Sequence, residues 1–125
     1  MNIWTFYDFI ESSGQNPIQR WLGGLPVDAQ AAIDARLLQM QGLLKWSDKW
    51  VSRYHAAAKL YELRITFNKV AYRPLGIYAP EHKFILLTGA IEKGGKIPKS
   101  TITTAVRRMK EVAEDLKNVR RHEIS

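Results

Sequence analysis

The chain of 125 residues contains no cysteine, which excludes a disulfide scaffold and every zinc or iron–sulfur site built on thiolate ligands. No run of apolar residues approaches the 18 that a membrane-spanning helix needs, and we expect neither a membrane anchor nor a signal peptide. We therefore expect a soluble protein of the cytoplasm. With 46% hydrophobic residues the chain can bury a substantial core, which favours a single domain over residues 1–125.

Common catalytic and metal-binding motifs are also missing. The segment GAIEKGGKIPKS follows a predicted strand and contains Gly-Lys, but Ala90 stands where the first glycine of a P-loop belongs, and an isoleucine follows the lysine. His55, His82 and His122 show no ligand spacing, so we expect no metal and no cofactor. No serine lies in a Gly-x-Ser-x-Gly context. His55 is a candidate general base, and a plain connector histidine is the alternative.

Positive charge is concentrated in the second part of the chain. Residues 1–48 contain three basic and five acidic residues, whereas residues 49–125 contain sixteen basic and seven acidic residues. The net charge of +7 therefore comes entirely from the second part. Segregation of this kind indicates a polyanionic partner such as nucleic acid, the alternative being a basic surface that only keeps the protein soluble.

The hydrophobic patterns predict an α+β domain in the order βααβββα, with helices packed on a small and mainly antiparallel sheet. Asn16-Pro17 predicts the start of a short first helix, and Gly23-Gly24 predicts its end. The second helix should begin at Pro26, and Pro98 should begin the last one. The apolar stripe of the second helix is predicted to comprise Ile33, Leu37, Met40 and Leu44.

The segment LYELRITFNKVAYRPLGIY predicts a β-hairpin. Apolar and polar residues alternate from Tyr61 to Phe67, and Asn68-Lys69 suits a two-residue turn. That turn places Ile65 opposite Tyr72 and Arg64 opposite Arg73. Two like charges directly opposite each other cost about 0.2–1 kcal/mol relative to a neutral pair.

Two explanations of the arginine pair remain open. Structurally, the nearby Glu62 offsets part of the repulsion. Functionally, two guanidinium groups on one face form a site for a phosphate or another anion.

Lysines follow the next predicted strand in what we expect to be a flexible loop. Lys93 and Lys96 flank a Gly-Gly pair, and a strand beside Arg73 would bring them to the edge of the sheet where the arginines lie. An ordinary solvated loop is the alternative. We expect the other basic residues near the C-terminus to form a solvated helix face or to follow RNA phosphates at a distance. These residues are Arg107, Arg108, Lys110, Arg120 and Arg121.

Three segments, LYELRI, AYRPLGIY and ILLTGAIEKGGKIPKSTITTAVRRM, together resemble the RelE/HigB superfamily of toxin–antitoxin ribonucleases, especially its phage-derived members. Glu92 stands where the family pattern has a lysine. The likeness covers Leu60 to Met109, and the strand and two helices before it agree in order only. The matching positions are Glu62, Leu63, Arg64, Tyr72, Arg73, Lys93, Lys96 and Pro98.

This resemblance implies a RelE-like fold, an antitoxin partner, and cleavage of messenger RNA, commonly on the ribosome. A ribose 2′-OH would attack the adjacent phosphate without a metal. Arg64 and Arg73 would then stabilise the charge that gathers on the phosphorane.

The other roles implied by the resemblance are assigned by position. Lys93 and Lys96 would hold neighbouring phosphates, with Lys59 and Glu62 also at the substrate. His55 lies near where some members place a histidine. The rival interpretation is a binding module that uses the basic sheet for RNA, a ribosome or a host protein without catalysis. A weaker rival is a phage-encoded modulator of a host protein.

Overall fold

A computed structural model describes residues 2–54, 57–114 and 116–124. Within these residues the chain forms three α-helices and seven β-strands, with one 3₁₀ turn at Leu116–Asn118. The helices are α1 (Pro17–Gly23), α2 (Val27–Gln41) and α3 (Lys99–Glu114). The strands are β1 (Thr5–Phe9), β2 (Val51–Arg53), β3 (Tyr61–Leu63), β4 (Ile65–Phe67), β5 (Val70–Ala79), β6 (Lys83–Ile91) and β7 (Val119–Arg121).

All seven strands belong to one sheet in the order β2-β3-β5-β6-β1-β7, with β4 also paired to β5. The β1–β6 pair is parallel and the other pairs are antiparallel, which confirms the predicted α+β class and the mainly antiparallel sheet. The predicted order lacks β2 and β7, and the first hairpin strand is divided into β3 and β4. Among the described residues, no helix is both long and apolar enough to cross a membrane.

The ends of the first two helices follow local sequence signals. The Asn16 side chain accepts hydrogen bonds from the backbone N–H groups of Ile18 and Gln19, and Gly24 caps the other end of α1. In α2 the predicted stripe is buried at Ile33, Leu37 and Met40. The prediction for Leu44 was wrong, because α2 ends at Gln41 and Leu44 is 58% exposed.

Helices cover both faces of the sheet. On one face, α1 and α2 pack with residues such as Phe6, Leu63 and Phe84 in the larger apolar cluster. On the other face, α3 contributes Ala105 and Val112 to a second cluster. The central strand β6 supplies residues to both clusters, and this explains why its sequence is apolar on both faces.

The predicted solvated face of the last helix was wrong at Arg108, which is only 8% exposed. Its guanidinium donates to the Leu87 carbonyl at 2.9 Å and to Glu11 at 3.3 Å, and it lies 5.3 Å from the centre of the Phe9 ring. Burial lowers the pKa of Arg108, and the nearby Glu11 carboxylate opposes that shift. Arg120 and Arg121 are exposed but belong to β7, so they do not extend the helix face.

Candidate active site

The β4–β5 hairpin has the predicted register. Asn68 and Lys69 form its two-residue turn with φ values of 50° and 66°, and Ile65 pairs with Tyr72. Arg64 lies outside both ladders with β5. Its backbone N–H donates to the Trp50 carbonyl at 2.7 Å.

The first of two ion pairs on β5 and its neighbouring strands joins Arg64 to Glu62. Arg64 Nη1 lies 2.7 Å from Glu62 Oε1, so the carboxylate offsets the repulsion predicted between the arginines. The Glu62 side chain is 11% exposed and that of Arg64 is 38% exposed. The carboxylate is therefore the inner member of this pair, and the guanidinium is the outer one.

The second ion pair joins Arg73 to Glu92. Arg73 Nη2 lies 3.0 Å from Glu92 Oε2, and Arg73 Nη1 donates to the Tyr72 carbonyl at 3.1 Å. Within the described part of the chain, the buried Nε of Arg73 has no hydrogen-bond partner. The Arg73 side chain is 4% exposed and that of Glu92 is 20% exposed. Here the guanidinium is the inner member and the carboxylate is the outer one.

Both ion pairs lie on the face of the sheet that α3 covers. Glu62 is opposite Leu75, and directly paired residues of neighbouring strands point to the same face. Leu75 packs in the α3-side cluster, and Arg73 precedes it by two residues. The ion-pair contacts then place the Arg64 and Glu92 side chains on this same face.

The two outer groups flank β5 from opposite sides. Arg64 follows β3, whereas the Glu92 backbone N–H donates to the Ala71 carbonyl of β5 from the β6 side at 2.9 Å. With strands about 4.8 Å apart and Glu92 offset from Arg64 by two residues along β5, the two backbones are roughly 12 Å apart, and Arg73 lies between them. The long side chains can therefore bracket a group as small as one phosphodiester.

The two lysines beside Glu92 lie on a tight turn. The backbones of Lys93 and Lys96 exchange two hydrogen bonds, of 2.9 and 3.0 Å. Gly94 and Gly95 have φ values of 57° and 75°, which glycine adopts without steric cost. The turn is fully on the surface, and both lysines are exposed beside the second ion pair.

The structure does not bring Lys59 to these pairs. Lys59 is exposed, with φ 70°, and lines a pocket of about 330 Å³ together with Ile77, Tyr78 and Met109. Tyr78 is five residues beyond Arg73 on β5, which corresponds to about 16 Å along a strand. His55, the candidate general base, lies outside the described residues.

A buried histidine that carried no predicted role lies on the opposite face. His122 Nδ1 is 2.7 Å from Asp8 Oδ1, and both side chains are fully buried. Gln19 of α1 and Asp34 of α2 also approach the ring, at 3.3 and 3.8 Å. His122 therefore belongs to a polar network that joins β1 and the segment after β7 to α1 and α2, away from the two ion pairs.

Sequence reasoning missed Glu92 as a member of the site. The signal was present in the strand alternation: Ala90 pairs with Arg73, so Glu92, two residues later, points to the same face.

Among the described residues, no group of three histidine, aspartate or glutamate side chains is arranged to hold a metal ion.

A mixed, mostly antiparallel sheet with helices on both faces is consistent with a RelE-like fold. The chain belongs to the family described as phage derived protein Gp49-like (DUF891), which matches residues 20–110. That family is part of the RelE/ParE-like toxin superfamily. A search among curated protein sequences gave no significant match.

Proposed function

We propose that the protein is the toxin of a toxin–antitoxin system and an endoribonuclease that cleaves messenger RNA bound to the ribosome. Membership of a family in the RelE/ParE-like toxin superfamily supports the toxin role. The segregated positive charge supports RNA as the target, because each phosphate contacted by a lysine or arginine contributes to affinity. An antitoxin that covers the exposed lysine turn and the ion pairs would then block the activity.

The proposed reaction is attack of a ribose 2′-OH on the adjacent phosphate, which gives a 2′,3′-cyclic phosphate and a free 5′-OH. The observation that carries the proposal is the placement of the Arg73–Glu92 pair beside the exposed lysine turn, with the Arg64–Glu62 pair on the other side of β5. Arg64, held by Glu62 and still 38% exposed, would donate to the phosphorane oxygens. This step needs no metal, because the guanidinium meets the developing charge.

The remaining cations would position the RNA. Lys93 and Lys96 are exposed on a turn closed by two backbone hydrogen bonds, so they can contact the phosphates on either side of the cleaved bond. Arg73 would add a second positive charge behind Glu92.

One observation favours a second candidate, a non-catalytic RNA-binding module. Each arginine is already paired with a carboxylate, and Arg73 is only 4% exposed. In that case the exposed lysines would bind RNA phosphates, and the ion pairs would only stabilise the sheet.

The test is induced expression in a bacterial host of the wild type, Arg64→Ala and a control, Arg107→Ala. Arg107 is 61% exposed on α3, so its loss removes the same charge at another place. Primer extension on an abundant messenger RNA should show new cut sites and growth arrest with the wild type and the control. Both effects should be absent with folded Arg64→Ala. A folded wild type that produces no cut sites would favour the binding module.

A further inference from the structure

We propose that Glu92 accepts the proton of the attacking 2′-OH and that Arg73 is the positioning residue that holds Glu92 for this step. The inference rests on the proposed endoribonuclease function and assigns its missing general base. It reverses the expectation that both arginines contact the phosphate directly.

Burial decides which member of each ion pair can meet the substrate. Arg73 is 4% exposed, and its terminal nitrogens donate to Glu92 and to the Tyr72 carbonyl. A phosphate could reach this guanidinium only after Glu92 moved away. The Glu92 side chain is 20% exposed and therefore stands between Arg73 and the solvent.

The two outer groups then have the complementary chemistry that the reaction requires. Arg64 presents positive charge for the phosphorane, and Glu92 presents a carboxylate, the only base of the two. Each is oriented by an inner partner of opposite charge, Glu62 for Arg64 and Arg73 for Glu92.

Glu92 lies next to a lysine that can bind an RNA phosphate. Lys93 follows it immediately at the start of the exposed turn, and a phosphate held there would place its ribose beside the carboxylate. The Glu92 backbone is also held, because its N–H donates to Ala71 on β5. A carboxylate fixed at both backbone and side chain meets the positional demand of general-base catalysis.

Two proton transfers accompany the exchange of bonds at phosphorus. The 2′-OH proton passes to a Glu92 carboxylate oxygen while the O2′–P bond forms, and Arg64 donates to the phosphoryl oxygens. The P–O5′ bond then breaks, and O5′ takes a proton from water. Glu92 returns its proton to the solvent, which leaves the enzyme unchanged.

The test compares Glu92→Gln with the wild type on messenger RNA bound to purified ribosomes, and measures binding separately with a 2′-O-methylated RNA oligonucleotide. Glutamine keeps the size and a hydrogen bond to Arg73 but cannot act as the base. We expect cleavage to be slower by about 10²–10⁴. Binding should be equal or tighter, because a negative charge has been removed. Glu123→Gln, at an exposed position, is the matched control and should cleave like the wild type.

A double-substitution cycle tests the positioning role of Arg73. If Arg73 acts through Glu92, then Arg73→Ala combined with Glu92→Gln should cleave no more slowly than Glu92→Gln alone. Arg73→Lys should recover part of the activity lost in Arg73→Ala. Additive losses in variants with wild-type unfolding midpoints would show that Arg73 acts independently of Glu92.

The outcomes separate this inference from the function on which it rests. If the wild type cleaves and Glu92→Gln cleaves as fast or faster, Glu92 only masks Arg73, and the assignment of the base is overturned while the endoribonuclease stands. If the wild type binds RNA and ribosomes without cleaving, the proposed function and the role of Glu92 are overturned together.

Discussion

Replacement of Arg64 by alanine should lower both the cleavage rate and the stability of the protein. The change removes an outer cation and leaves the Glu62 carboxylate, 11% exposed, without its partner at 2.7 Å. Loss of one preorganised donor typically lowers the rate by about 10²–10³. A buried group that loses its hydrogen-bond partner costs about 1–3 kcal/mol in the free energy of unfolding. With an m-value of about 1–3 kcal/mol per molar, the urea midpoint should fall by roughly 1 M.

A second variant should restore most of the stability while cleavage stays slow. Glu62→Gln combined with Arg64→Ala leaves no unpaired charge, so most of the lost free energy of unfolding should return. Cleavage should remain as slow as in Arg64→Ala. Urea unfolding followed by tryptophan fluorescence, together with cleavage rates under folding conditions, measures both effects. Wild-type cleavage by folded Arg64→Ala would refute the assignment of Arg64 to the phosphorane.

Three further predictions concern the turn, the buried network and the core. Lys93→Gln combined with Lys96→Gln should weaken RNA binding. The slope of log K for RNA association against log salt concentration should become shallower by about 0.7 for each lysine that contacts a phosphate. An unchanged slope in a salt titration would show that the turn does not contact RNA. His122→Ala should lower the free energy of unfolding by about 1–3 kcal/mol, because it leaves a buried carboxylate with fewer partners, but folded protein should cleave normally. Gly89→Ala should cost about 1–3 kcal/mol in urea unfolding, since its Cβ would overlap the Trp21 ring, and wild-type stability would contradict that packing.

Local signals made much of the fold predictable. A two-residue turn at Asn68-Lys69 determines the strand register on both sides, so the Ile65–Tyr72 pairing followed directly. Asn16 and Gly24 bounded α1 for equally local reasons. By contrast, β7 has three residues, no apolar alternation and a partner more than a hundred residues away in β1. Short strands whose pairing is set by distant contacts leave little trace in the sequence.

The candidate site was predictable in its residues but not in its pairing. Alternation and register placed Arg64 and Arg73 on one face of the sheet. The same sequence pattern is compatible with two arrangements: the arginines facing each other, or each arginine paired with its own carboxylate. Which partner of each pair lies outside depends on how α3 and the turn cover the sheet. Burial alone shows that Arg73 is the inner member and Glu92 the outer one.

The chemistry of the RNA ends tests the central claim most directly. Purified wild-type protein should be incubated with messenger RNA on ribosomes, and the ends of any fragments should be mapped. Attack by the 2′-OH predicts 2′,3′-cyclic phosphate and 5′-OH ends, absent from reactions with Arg64→Ala. Fragments with 3′-OH and 5′-phosphate ends, or intact RNA after incubation with folded wild-type protein, would contradict the account.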